Sequence, residues 1–223
     1  MFSQISARYD LANRILSLQL DRGWRRRLVN WADPHPTEKI LDVCTGTADL
    51  LLEFAHHHQQ LTLWGLDLSR EMLAIAQTKL RASNCASKTL LIEGYALQLP
   101  FPSESLDIVT IAFGLRNLPD IDTALAEVVR IIRPGGRLLI LEFAPPPNRL
   151  WRGLYLFFLK HIVPRLGALL TGSRDAYEYL HRSIRSFPPP PEIMNHLRRV
   201  GLGRTECLSL AGGIAVIYRG ERL

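Results

Sequence analysis

The chain predicts an α/β fold: a mostly parallel sheet with helices on both faces, organised as a single domain over residues 1–223. Three observations point there. Apolar runs of strand length alternate with amphipathic stretches from residue 39 to residue 143, the pattern of repeated strand-helix crossovers. The segment KILDVCTGTADLLLEF, residues 39–54, reads as a buried strand, a tight polar turn and a helix start. A second strand then ends in WGLDLS, placing Asp67 25 positions after Asp42, so carboxylates fall at the carboxyl ends of neighbouring strands, where open α/β sheets bind ligands.

Taken in order, residues 5–17 and 20–31 show helical periodicity, and a strand follows at 39–43. The pattern then gives a helix at 47–58, a strand at 61–66, and a helix at 69–82 with Ser69 as its N-cap. Strands follow at 88–92, 106–112 (LDIVTIA) and 137–142 (RLLILE), with a helix at 120–131 between the second and third. Pro134, Gly135 and Gly136 read as a turn between that helix and the last of these strands, since proline ends a helix and glycine admits positive φ. After Pro145–Pro147 the rhythm changes. Two or three helices run to about residue 186, a stiff stop follows at 188–191, and a helix at 191–200 leads into strands near 203–209 and 213–219. This helical insertion, 145–190, is expected above the carboxyl ends of the strands, where it would cover an acceptor substrate.

Composition narrows the class. With 223 residues, 47% of them hydrophobic, the chain can bury one sizeable core. Cys44, Cys85 and Cys207 lie far apart without C-x-x-C spacing, which argues against a zinc site or disulfide framework and suits a reducing cytoplasm. The start carries no signal-peptide core, and no uncharged apolar run reaches the roughly 18 residues of a membrane span. His56, His57 and His58 read as a solvated face, with no further ligand at usable spacing, so no metal is expected.

The loop chemistry selects a ligand. A dinucleotide fingerprint requires three glycines so that a pyrophosphate can approach the backbone, but the loop from Cys44 to Asp49 holds only Gly46. Asp49 would repel a pyrophosphate and attract a cation. A sulfonium-bearing nucleoside such as S-adenosyl-L-methionine fits that field better, with Asp67 accepting from the ribose hydroxyls. A plain capped strand-to-helix turn would show the same loop.

The net charge of +6 is unevenly placed. Arg22, Arg25, Arg26 and Arg27 crowd one helix, and Arg149, Arg152, Lys160 and Arg165 frame the apolar segment LYLFFLKHIVPRLGALL. Basic residues around apolar ones suit a peripheral contact with anionic lipid; a solvated face over a core helix is the plainer reading. The dispersed charges and the lack of a binding motif argue against nucleic acid.

With cradle, alternation and insertion in place, the chain resembles the ubiquinone/menaquinone-biosynthesis C-methyltransferases over nearly its whole length. The resemblance is carried by RYDLANRILSL at 8–18, ILDVCTGTADL at 40–50, LPFPSESLDIVTIAFGLRNL at 99–118, RIIRPGGRLLILEF at 130–143 and DAYEYLHRSI at 175–184. It implies a class I S-adenosyl-L-methionine-dependent methyltransferase fold: a Rossmann-like, seven-stranded sheet with an N-terminal helical lid over residues 1–35. It also implies methylation of a ring carbon of a prenylated quinol, demethylmenaquinol or its phytyl-naphthoquinol equivalent being favoured over the methoxy-polyprenyl benzoquinol because CTGTAD is similar to the menaquinone branch.

The resemblance further implies a cofactor set of Asp42, Gly46, Thr47, Asp49, Asp67, Leu68, Tyr95, Ala96 and Ala112, with Tyr9 in the lid. Tyr95, Ala112 and Ala48 depart from the family pattern, and Tyr95 brings no side-chain amide to the adenine. Arg116 is expected to stabilise a phenolate or hold a relay water, and Tyr177 or water to take the proton. Phe113, Leu115, Asn117, Phe157 and Ile162 are expected along the ring and tail path. A different acceptor, such as a sterol, a phospholipid amine or a nucleobase, and a non-catalytic adenosyl-binding scaffold remain as alternatives; a homodimer is compatible with all of them.

Overall fold

The computed structural model describes residues 19–58, 60–163, 165 and 175–223. The helix expected at 5–17 and the lid residue Tyr9 lie outside them. Helix α1, Asp21–Ala32, precedes strand β1, Lys39–Val43, and helix α2, Asp49–His57. Next come β2, Thr62–Asp67, α3, Arg70–Ala82, β3, Thr89–Glu93, and β4, Leu106–Ala112. Helix α4, Ile121–Ile131, runs into β5, Ile132–Phe143. The insertion holds α5, Arg149–Phe157, which continues as a wide π turn, Phe158–Ile162, and α6, Asp175–Ser186. Helix α7, Pro190–Arg199, and strands β6, Leu202–Leu210, and β7, Ala215–Arg222, complete the chain.

The seven strands form one sheet in the order β3-β2-β1-β4-β5-β7-β6. The first five pair in parallel, and β7 runs antiparallel to both its neighbours. The order reverses between β1 and β4, which opens a crevice at their carboxyl ends. Apolar residues fill both sides of the sheet. One core joins α1, α2 and α3 through residues such as Leu28, Phe54 and Leu80; the other joins α4 and α7 through Leu125, Val128 and Leu197. Strand β5 is buried on both faces from Gly136 to Phe143, as a central parallel strand should be. Its one acid, Glu142, is therefore fully buried.

Two expectations need correction. The 134–136 segment is no turn between separate elements, because α4 passes directly into β5. Pro134–Gly136 instead bulge out of the strand: Leu106 pairs Ile132 while Ile108 pairs Arg137, so two steps on β4 face five on β5. Gly135 takes φ +78° there, the freedom a bulge requires. Helix α2 also starts later than expected, at Asp49, because Ala48 is left-handed at φ +67° and ends the loop instead of opening the helix.

Candidate active site

A cavity of about 490 Å³ opens at the carboxyl ends of β1, β2 and β4, within the range of small-molecule sites. Asp67 forms its centre. The Gly46 N–H donates to Asp67 Oδ2 at 2.8 Å and the Ser69 N–H to Oδ1 at 2.9 Å. Each carboxylate oxygen keeps a further lone pair, so the group is fixed in orientation and still able to accept. Burial raises its pKa, and the backbone donors of Ser69, Gly46 and Leu68 oppose that rise. Leu68, Met72, Tyr95 and Ala96 supply an apolar slot beside it. A fixed carboxylate next to an apolar slot suits a ribose diol and its base.

Phe113, Gly114, Asn117 and Leu118 make the opposite wall. Phe113 holds φ +57°, a strained conformation for a residue with a Cβ and typical of functional loops. It lies in a stack: Arg25 caps its ring at 5.5 Å, Phe143 faces it at 4.6 Å between centroids, and Arg116 caps Phe143 at 5.5 Å. The next residue must be glycine, since a Cβ on Gly114 would stand 2.4 Å from the Cys44 Cβ. Asn117 Nδ2 donates to the Phe113 carbonyl at 3.3 Å, and its Oδ1 accepts from the Tyr179 hydroxyl at 3.1 Å. Helix α6 thereby reaches the cavity wall.

Arg116 is placed differently from the expectation of a cation facing the acceptor. Its Nη1 donates to Glu142 Oε1 at 2.6 Å and to the Phe113 carbonyl at 2.7 Å, and the pair is buried. Glu142 also accepts from the Arg116 and Phe143 backbone N–H groups. This pair anchors the 113–117 turn. The Tyr155 hydroxyl lies in its field, without a hydrogen-bond partner among the described residues, and burial holds it as a neutral phenol. Burial likewise keeps the Cys44 thiol protonated.

The structure brings Gly46, Asp67, Leu68, Tyr95, Ala96, Phe113 and Asn117 together around the cavity. Asp42, Thr47, Asp49 and Ala112 instead line a crevice of about 20 Å³ behind the loop. Asp42 accepts from Thr110 Oγ1 at 2.7 Å, and burial pushes its pKa up to about 7, against the pull of that bond and of Arg25. Asp49 is held by Lys79 at 2.5 Å and faces Arg25 at 3.7 Å; Lys79 also donates to Thr47 Oγ1. The Asp49 charge is thus engaged by protein cations. Leu115 is no part of the path, because its side chain is fully buried in the core under α4. Phe157 and Ile162 face outward from the insertion and do not line the cavity. The Tyr177 side chain lies outside the described residues.

Sequence reasoning missed Glu142, Arg25, Lys79, Met72 and Ser69 as contributors. Glu142 carried a signal, being a lone acid inside RLLILEF. Arg25 carried none against its neighbours Arg26 and Arg27.

Comparison with known proteins agrees with this geometry. Residues 1–222 match the ubiE/COQ5 methyltransferase family. The chain is 42% identical to the demethylmenaquinone methyltransferase of Thermus thermophilus, covering 100% of both chains. It is 41% identical to that of Deinococcus radiodurans, over 100% of this chain and 91% of the relative. A ubiquinone/menaquinone biosynthesis C-methyltransferase from Shewanella frigidimarina is 35% identical over 100% of this chain and 89% of its own. Among solved structures, a SAM-dependent methyltransferase from Aquifex aeolicus shares the fold at a TM-score of 0.63 and 15% identity, over 89% of each chain.

Proposed function

The chain belongs to the ubiE/COQ5 methyltransferase family and is an S-adenosyl-L-methionine-dependent C-methyltransferase of quinone biosynthesis; on that premise we propose demethylmenaquinol as its acceptor. The observation that carries the reading is one cavity with two unlike walls: the Asp67 carboxylate, locked by backbone donors, and the Phe113–Asn117 side opposite. The names of the relatives at 41% and 42% identity support a naphthoquinol ring over a benzoquinol.

When bound, the donor supplies an electrophilic methyl on a sulfonium. Asp67 would hold its ribose, Leu68, Met72, Tyr95 and Ala96 its base, and Gly46 with Cys44 its amino-acid end. Asp42, Thr47, Asp49 and Ala112 support that loop from behind, and Tyr9 belongs to the proposed lid.

On the acceptor side, the ring carbon needs an adjacent hydroxyl that has lost its proton, and little covalent help. The Phe113 ring and the Asn117 amide, held by Tyr179, orient the quinol. Arg116, ion-paired with buried Glu142 and outside the cavity lining, contributes by fixing the turn that carries Asn117. Cys44 and Tyr155 stay protonated at neutral pH, so the hydroxyl proton and the ring proton pass to water, with Tyr177 as the side chain assigned to the relay.

The acceptor's isoprenoid tail sets the enzyme's place, peripheral on the cytoplasmic face of a membrane. Purified protein given demethylmenaquinol and 2-methoxy-6-polyprenyl-1,4-benzoquinol side by side should methylate the first. Product from the benzoquinol alone would move the acceptor to the other ring; product from neither would end the reading.

A further inference from the structure

Helix α5 has two apolar faces, and among the described residues only one has a partner. Tyr155 and Leu159 point into the core, with Val163 beyond them. On the opposite side Leu150 is 87% exposed, Leu154 59% and Phe157 56%. Spacing of i, i+4 and i+7 aligns these three along one stripe, where a surface helix normally carries polar residues. Gly153 lies beside them in open space.

The charge around the stripe has one sign. No Asp or Glu occurs from residue 143 to residue 174. Arg149, Arg152, Lys160 and Arg165 have no carboxylate within ion-pair distance among the described residues, although acids elsewhere on the surface are widely paired. An exposed apolar stripe flanked by unopposed cations is complementary to lipid chains beneath anionic headgroups. No helix among the described residues is long and apolar enough to cross a membrane, so the element would lie in the interface plane.

We propose that the outward face of α5 docks this protein on an anionic lipid surface, and that the docked helix presents the acceptor's tail to the cavity. The route is short. The π turn that continues α5 packs against α6, α6 packs against the 115–117 turn, and Tyr179 of α6 holds Asn117 at the cavity wall. The delivery half of this proposal rests on the quinol reading; the docking half does not.

The experiment is vesicle flotation of the full chain with phosphatidylcholine alone and with phosphatidylcholine mixed with phosphatidylglycerol. The protein should float with the mixed vesicles at low salt and stay behind with the neutral ones. Arg149→Gln/Arg152→Gln should weaken partitioning about 30-fold, at about 1 kcal/mol for each charge. Leu150→Glu/Leu154→Glu should weaken it roughly tenfold or more. Both variants should turn over a tail-less, water-soluble demethylnaphthoquinol like the parent, yet lose most of their kcat/KM on long-tailed quinol embedded in mixed vesicles. Absence of flotation, or flotation unchanged in both double variants, overturns the docking surface, including in favour of a protein partner on this face. If the parent floats as expected but leaves the tail-less acceptor unmethylated, the quinol reading fails and the docking surface stands.

Discussion

The two walls of the cavity are built by opposite strategies. The Asp67 side is made of directional contacts: a carboxylate fixed by the Gly46 and Ser69 amides, over a loop tied down by Asp42–Thr110 and Lys79–Asp49. The Phe113 side carries few polar atoms, an aromatic stack, and an insertion whose outer face is apolar. A polar nucleoside with several hydrogen-bonding groups rewards a pre-organised wall, because each misplaced partner leaves a group unpaired. A flat ring with a hydrocarbon tail rewards shape and access instead. Charge follows the same division, being engaged in ion pairs behind the loop and unopposed along α5 among the described residues.

The contrast is broken most severely at the pair that anchors the 113–117 turn. Arg116→Ala or Glu142→Leu alone should destabilise the protein by about 3–5 kcal/mol, since either leaves a buried charge uncompensated. The double variant Arg116→Met/Glu142→Leu should recover most of that loss in urea denaturation while its turnover stays low. Full recovery of turnover would show the pair to be purely structural.

Asp42→Asn tests whether the loop support is electrostatic. Burial raises the folded-state pKa of Asp42 to about 7, above its value in an unfolded chain, so the folded state binds the extra proton between about pH 4 and 7. Stability from this group is therefore fully present below about pH 4 and lost as pH rises through about 7, by a few kcal/mol. The asparagine variant should flatten that part of the stability-against-pH curve; an unchanged slope would assign it to another group.

Asp67→Asn should separate the walls by ligand. An amide cannot accept at both positions, so calorimetry should show donor affinity falling roughly tenfold to a hundredfold, or about 1.5–3 kcal/mol, with the acceptor KM unmoved. The smallest effect belongs to Ser69→Ala, which removes the cap accepting the Met72 N–H at 3.3 Å. It should lower stability by about 1 kcal/mol and leave turnover intact.

The polar wall was far more legible in the sequence than the apolar one. Strands β1 and β4 announced themselves as apolar runs, and Ser69 after Asp67 marked both a strand end and a helix start. Such signals are local, and the backbone contacts of Asp67 are made by residues close to it or in the adjacent loop. Arg116–Glu142 was hidden because the pairing spans 26 positions and depends on β4 and β5 lying side by side in register. Arg25 was hidden by helical phase, as one of three consecutive arginines it alone turns inward to Asp21. The 134–136 bulge was misread because Pro-Gly-Gly has turn chemistry, whereas the helix-to-strand junction falls two residues earlier, at Ile131–Ile132. The outward apolar stripe of α5 was half visible: composition showed the basic frame, and only the folded helix showed which side is left bare.

Gly114 gives these two strategies a common gauge. With no side chain there, the backbone after β4 sits shoulder to shoulder with Cys44 of the loop after β1, so the floor under one ligand and the flank beside the other touch at a missing methyl. Adding that methyl would wedge the two strand ends apart and lengthen the gap a one-carbon group must cross, which makes a bare glycine the residue that sets the site's reach.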